Sequence, residues 1–234
     1  MGSTRSGVTL TGTGRGTEAD LLASAAALRW SRPDLTAALA DHVLETAVAE
    51  DDLDRWLRAA GWAVHGRSAT GDGRVVACEV LDALSRWGGE PLSNRAAHRL
   101  RVELAVLAAA AGEVQGARAL LEPVMVDEVP AGLRADAFCA LARCASEDSP
   151  ADVAAELRRA ESAWSDVAAL RADVGIAAVA LVAAATARRA GRTKRAVERA
   201  AEGLERLDRG RGAAQTGTPS GHLSAALAAE WISA

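Results

Sequence analysis

Apolar residues recur every three to four positions through most of the chain, in runs too long for strands, and clear breaks separate the runs. From Glu18 to Trp30, Leu21, Leu22, Ala25 and Leu28 fall on one helical face, with Thr17 as the cap. Ser31-Arg32-Pro33 ends that run, because proline cannot continue the hydrogen-bond ladder but is welcome in a first turn. Leu35, Leu39, Val43 and Ala47 then carry a second helix to about Ala49. Further helices are expected from Asp51 to about His65, after Gly71-Asp72-Gly73 to near Trp87, and from Ser93 to Ala111. The pattern continues with Val114 to Val124, Pro130 to about Ala145, Ser149-Pro150 to about Trp164, Leu170 to Ala190, and Thr193 to Leu207. Residues 209–217 read as a flexible, glycine-rich loop, and a last helix is expected over Ser220 to Ile232. Residues 1–16 are small and polar and read as a disordered tail, leaving 17–234 as one helical domain.

This is a reading of about eleven helices joined by short turns in antiparallel pairs, the signature of an all-α helical solenoid. Two hairpins carry the period. Leu104-Ala105, Gly112 and Ala117 stand like Ala183-Ala184, Gly191 and Ala196 about two repeats later, each repeat being roughly 39 residues. Small residues let paired helices touch, and glycine permits the tight turn.

Leu104-Ala105, Gly112, Ala117 and Pro130, with a second copy in Ala184, Gly191, Ala196 and Leu204, resemble the small-residue scaffold of tetratricopeptide-repeat (TPR) proteins over residues 51 to 210. The departures are alanine at the family's aromatic positions (Ala108, Ala187), Gly203 where alanine is usual, and a repeat longer than about 34 residues. The resemblance implies a right-handed solenoid of antiparallel hairpins with a concave binding face. It also extends, by analogy of fold, to the regulatory arm of actinobacterial transcription regulators and GGDEF-type signalling proteins.

Composition supports helices and removes several chemistries. About a quarter of the residues are alanine, while aromatics are limited to six tryptophans and Phe138. Lys194 is the only lysine, which fits the codon usage of a GC-rich actinobacterial genome and leaves no lysine for a phosphate-binding loop. Three cysteines in a long chain fit a reducing cytoplasm. The apolar run Val174 to Ala187 falls short of the roughly 20 residues of a membrane span, so no membrane association is expected. A formal charge of −4 argues against nucleic acid as the partner.

Motif-like stretches have simpler accounts. Gly12-Thr13-Gly14-Arg15-Gly16 lacks the third glycine of a dinucleotide loop, since position 17 is threonine. Gly88-Gly89-Glu90 precedes Pro91 and reads as a helix stop. His42, His65, His98 and His222 are scattered, and Cys139 and Cys144 point to different sides of one helix, so neither a metal nor another cofactor is expected. Asp51, Asp52 and Asp54 cluster at a helix start, where capping explains them.

The sharper expectation comes from the arginines. Projecting the first helix of each pair places Arg58, His65, Arg99, Arg143, Arg188 and Arg189 on one inner face, which would favour an acidic peptide or carboxylate. Changing Arg99, Arg143 and Arg188 to glutamate is then expected to abolish partner binding and leave stability intact. The basic stretch 188–211 is diluted by Glu198, Glu202 and Glu205 and reads as a salt-bridged exposed helix. Tryptophans near helix ends mostly pack between hairpins, with Trp56 and Trp231 the candidates for exposed partner-binding rings. The last helix, with Leu223, Leu227, Trp231 and Ile232, either packs back as a cap, pairs with a second copy of the chain, or precedes a further domain. The expected role is non-catalytic: a scaffold or regulatory domain that binds a protein, an acidic peptide or its own copy. The alternative is an all-α sensor or enzyme, for which His65, Arg99 and Cys139 around a closed cavity would be the sign.

Overall fold

A computed structural model describes residues 18–88, 90–145, 149–165, 169–213 and 221–233. The tail expected over 1–16 lies outside these residues, as does the end of the stretch 209–217. Among the described residues there are eleven α-helices and no strand. They are α1 (Glu18–Leu28), α2 (Pro33–Ala49), α3 (Leu53–Thr70), α4 (Gly73–Leu84), α5 (His98–Ala110) and α6 (Val114–Val126). The series continues with α7 (Ala131–Cys144), α8 (Pro150–Ser165), α9 (Ala169–Arg189), α10 (Thr193–Ala213) and α11 (Gly221–Ser233). No helix is long and apolar enough to cross a membrane.

Local chemistry explains the ends. Pro33 opens α2, and the Asp52 side chain accepts a hydrogen bond from the Arg55 backbone N–H at 2.9 Å to cap α3. Gly112 and Gly191 turn the chain at φ of 86° and 68°, a left-handed conformation that other residues adopt only with strain.

Some bounds differ from expectation. Helix α3 continues past His65 to Thr70 and ends at Gly71, which takes the left-handed conformation at φ of 100°, while Gly66 within it lets α2 approach closely: a methyl group there would collide with the Pro33 carbonyl and the Ala37 backbone. The expected helix from Ser93 is two 3-10 turns (Pro91–Ser93 and Arg95–Ala97) before α5, since the Asn94 side chain takes the Ala96 N–H at 2.8 Å. Helix α4 stops at Leu84 instead of near Trp87. Helix α10 runs on to Ala213, so residues 209–213 of the expected loop are helical; glycine lowers helix propensity by about 1 kcal/mol without forbidding a helix.

Consecutive helices pack together, most extensively α9 with α10, α2 with α3, and α7 with α8. Odd-numbered helices also touch in order: α3 with α5, α5 with α7, α7 with α9, and α9 with α11. Four apolar clusters follow the same order, centred on Leu57 and Leu100, on Leu121 and Val124, on Trp164 and Val179, and on Leu223 and Leu227. The last of these reaches back to the start of the chain. Trp30 packs against it, and the Leu223 N–H donates to the Trp30 carbonyl at 3.3 Å. The turn after α1 therefore contacts α3 through Trp30 and His65, α7 through Arg29 and Asp136, and α11 through the Trp30 carbonyl.

Candidate functional site

Two arginine-rich regions lie side by side, one closed and one open. The closed one is centred on Arg29, at the end of α1. Its guanidinium donates to Asp136 Oδ2 of α7 at 3.1 Å, and Arg99 of α5 donates to the same oxygen at 2.8 Å. Arg99 also reaches Glu103 Oε1 at 3.1 Å, and His65 Nδ1 of α3 lies 3.0 Å from that atom. Indole rings enclose these charges: Arg29 stands 5.0 Å from the Trp30 ring and 5.2 Å from Trp164, and Arg99 stands 4.3 Å from Trp62.

The electrostatics follow from burial and mutual compensation. Burial pushes the Glu103 carboxyl up, but His65 and Arg99 outweigh it and hold the group down at about 2. Burial pulls Arg29 below its ordinary value, although Asp136 opposes this. At Arg99 the two carboxylates win, and its pKa is raised. The Cys139 thiol, nearby on α7, is pushed up by burial to about 12 and so remains a thiol at neutral pH. Two guanidiniums and two carboxylates form a balanced set, so the cluster ties α1, α3, α5 and α7 together instead of presenting charge to a ligand.

The open region is a cleft of about 290 Å³ where α7, α8, α9 and α10 meet. Its floor includes Ala142, Leu157, Ala183 and Ala187, and six arginines line it: Arg143, Arg158, Arg189, Arg192, Arg195 and Arg199. The single carboxylate of the lining, Glu161, lies 3.6 Å from Arg199, which also pairs with Glu202 at 2.8 Å. Among the described residues, no carboxylate comes within ion-pairing distance of the other five arginines. The carboxyl ends of α7 and α9 and the amino ends of α8 and α10 border the cleft, so their dipoles largely offset one another. The guanidiniums set its field. Their planar forks suit oxyanions, and the alanine floor limits competition from water.

The residues expected on one inner face are thus divided among different surroundings. His65 and Arg99 meet, but in the enclosed cluster. Arg143 and Arg189 line the open cleft. Arg188 is exposed and pairs with Glu230 of α11 at 2.8 Å. Arg58 borders a separate depression beside Glu50, Asp51, Asp52 and Asp54, where an acidic ligand would be repelled. Trp56 is 4% exposed and packs near Trp87, which corrects the expectation of an exposed ring there. Trp231 is 51% exposed. Helix α11 itself packs back onto α9 and α10 through Leu223 and Leu227, leaving Trp231 and Ile232 outward.

Sequence reasoning missed Arg29, Glu103 and Asp136. Each is a charge whose two immediate neighbours are apolar, Arg29 between Leu28 and Trp30, Glu103 between Val102 and Leu104, and Asp136 between Ala135 and Ala137, which was the available signal. In the stretch 188–211, Arg199 pairs as the sequence suggests, whereas Arg192 and Arg195 turn into the cleft. Comparison with family models, curated proteins and solved structures finds no match to this chain.

Proposed function

We propose that the chain is a non-catalytic, TPR-like scaffold, a right-handed solenoid of helical hairpins that binds an acidic segment of a partner protein. The observation that carries this reading is the cleft, in which five guanidiniums that have no carboxylate within ion-pairing distance among the described residues converge on a floor rich in alanine. The enclosed Arg29 and Arg99 are neutralised by Glu103 and Asp136, and the buried Arg101 donates to the Leu92 and Leu120 carbonyls, so the cleft is distinguished by gathering several guanidiniums around one opening. An acidic ligand would supply the missing countercharges through charge-assisted, bidentate bonds. The order of contacts among the odd helices and the glycine turns at Gly112 and Gly191 support the repeat reading.

The alternative of an all-α sensor or enzyme draws on the meeting of His65 and Arg99 near Cys139. Around His65 and Arg99 the structure packs the Trp30 and Trp62 rings and the Arg29 guanidinium, which favours a structural role for these two residues.

Affinity capture from lysate of the native organism tests the reading, using wild type beside an Arg189→Glu/Arg192→Glu/Arg195→Glu variant. Those three residues are exposed, so the reversal leaves the fold intact. A protein retained by wild type and lost from the variant supports the scaffold. Identical retention by both rejects the cleft as its binding surface.

A further inference from the structure

We propose that the cleft is a phosphomonoester site, taking a phosphorylated side chain of the partner; this rests on the scaffold reading and specifies its recognition group. Charge stoichiometry carries the argument. A single carboxylate in the cleft would pair with one guanidinium fork and leave the others facing one another. Phosphate monoesters carry about −1.5 to −2 charges at neutral pH on three strong acceptor oxygens, and so engage several arginines at one centre.

The placement of the arginines suits a group of that shape. Arg143 is partly buried, whereas Arg158 of α8, Arg189 at the end of α9, Arg192 in the following turn and Arg195 of α10 stand at the exposed rim. Burial pushes the Arg143 guanidinium below its ordinary value and the like charge of Arg189 adds to the lowering, while Cys139 and the more weakly acting Glu103 and Glu230 oppose it. A multiply charged anion between Arg143 and Arg189 would relieve that repulsion. The floor of alanine and Leu157 gives the stem of the side chain an apolar bed and strengthens each ionic contact above it.

The test is calorimetric titration of the full chain at fixed ionic strength with two matched pairs of probes. The first pair is phenyl phosphate and benzoate; the second is the tripeptides Ala-phosphoserine-Ala and Ala-Glu-Ala. Both phosphomonoesters are expected to bind at least about tenfold more tightly than their carboxylate counterparts, the factor that one further charge-assisted bond supplies. Arg143→Gln is expected to weaken them by about tenfold, and so is the exposed pair Arg192→Gln/Arg195→Gln, which leaves the core untouched. Equal affinity for phosphate and carboxylate overturns the proposal but leaves an acidic partner possible. Binding of phenyl phosphate without the phosphotripeptide overturns the assignment to a side chain and points to a free small phosphate. Phosphate binding that survives both variants places the site elsewhere and overturns it too. A phosphate preference combined with a capture experiment that retains no protein rejects the scaffold reading instead.

Discussion

The carboxylate of Asp136 is the point at which the enclosed charge cluster is easiest to break. One oxygen holds Arg29 at 3.1 Å and Arg99 at 2.8 Å, and the three side chains are 15%, 8% and 11% exposed. Asp136→Asn keeps the size and one acceptor but removes the charge. Two guanidiniums then face each other with Glu103 as the remaining countercharge. Removing one partner of a buried pair costs about 3–5 kcal/mol, and the residual exposure of Asp136 puts this case near the lower figure, about 3 kcal/mol. In a chain of this size each kcal/mol moves the melting temperature by about 2–4 °C, so a fall of roughly 6–12 °C is expected. Thermal melts followed by circular dichroism measure it, with tryptophan fluorescence as a second probe because Trp30, Trp62 and Trp164 surround the cluster. A double-mutant cycle with Arg29→Leu and Asp136→Leu isolates the pair, and a coupling of about 2 kcal/mol is expected. A loss below about 1 kcal/mol for Asp136→Asn together with no coupling would refute the reasoning, since those are the values of a solvated surface pair.

Glu103 gives a pH dependence. Its pKa in the folded chain lies below the ordinary value of 4.5, at about 2, so its contribution is complete above about 4.5 and is lost as pH falls toward 2. At about 1.4 kcal/mol per pH unit the loss is roughly 3 kcal/mol; urea midpoints at several acid pH values should show it, and Glu103→Gln should flatten the curve. Gly175→Ala should destabilise by about 1–3 kcal/mol in urea unfolding, because the Trp164 ring lies against the α-carbon of Gly175. Arg99→Glu should lower helicity and melting temperature sharply by adding a third carboxylate beside Glu103 and Asp136. By contrast, Arg189→Glu should stay within about 0.5 kcal/mol of wild type.

This last contrast shows where reading the sequence succeeds and where it stops. Helix order was legible because apolar periodicity, Pro33, Gly112 and Gly191 act over a few residues. The pairing of Arg99 with Glu103 lies within that range too, four positions apart on one helix. Asp136 stands 107 positions from Arg29 and 37 from Arg99, and no local pattern announces either contact. A charge variant including Arg99 therefore looks harmless in sequence, whereas its contacts with Glu103 and Asp136 predict disruption in three dimensions. The cleft was half legible for the same reason. Arg143 and Arg189 project inward on their own helices, but only the packing of α8 and α10 brings Arg158, Arg192 and Arg195 beside them.

The most direct measurement of the central claim is an NMR titration of arginine Nε–Hε resonances with poly-glutamate. The account predicts shifts at Arg143, Arg158, Arg189, Arg192 and Arg195, with Arg29 and Arg99 unmoved in their enclosed cluster. Shifts centred on Arg58 or Arg188, or none at the cleft, would contradict it.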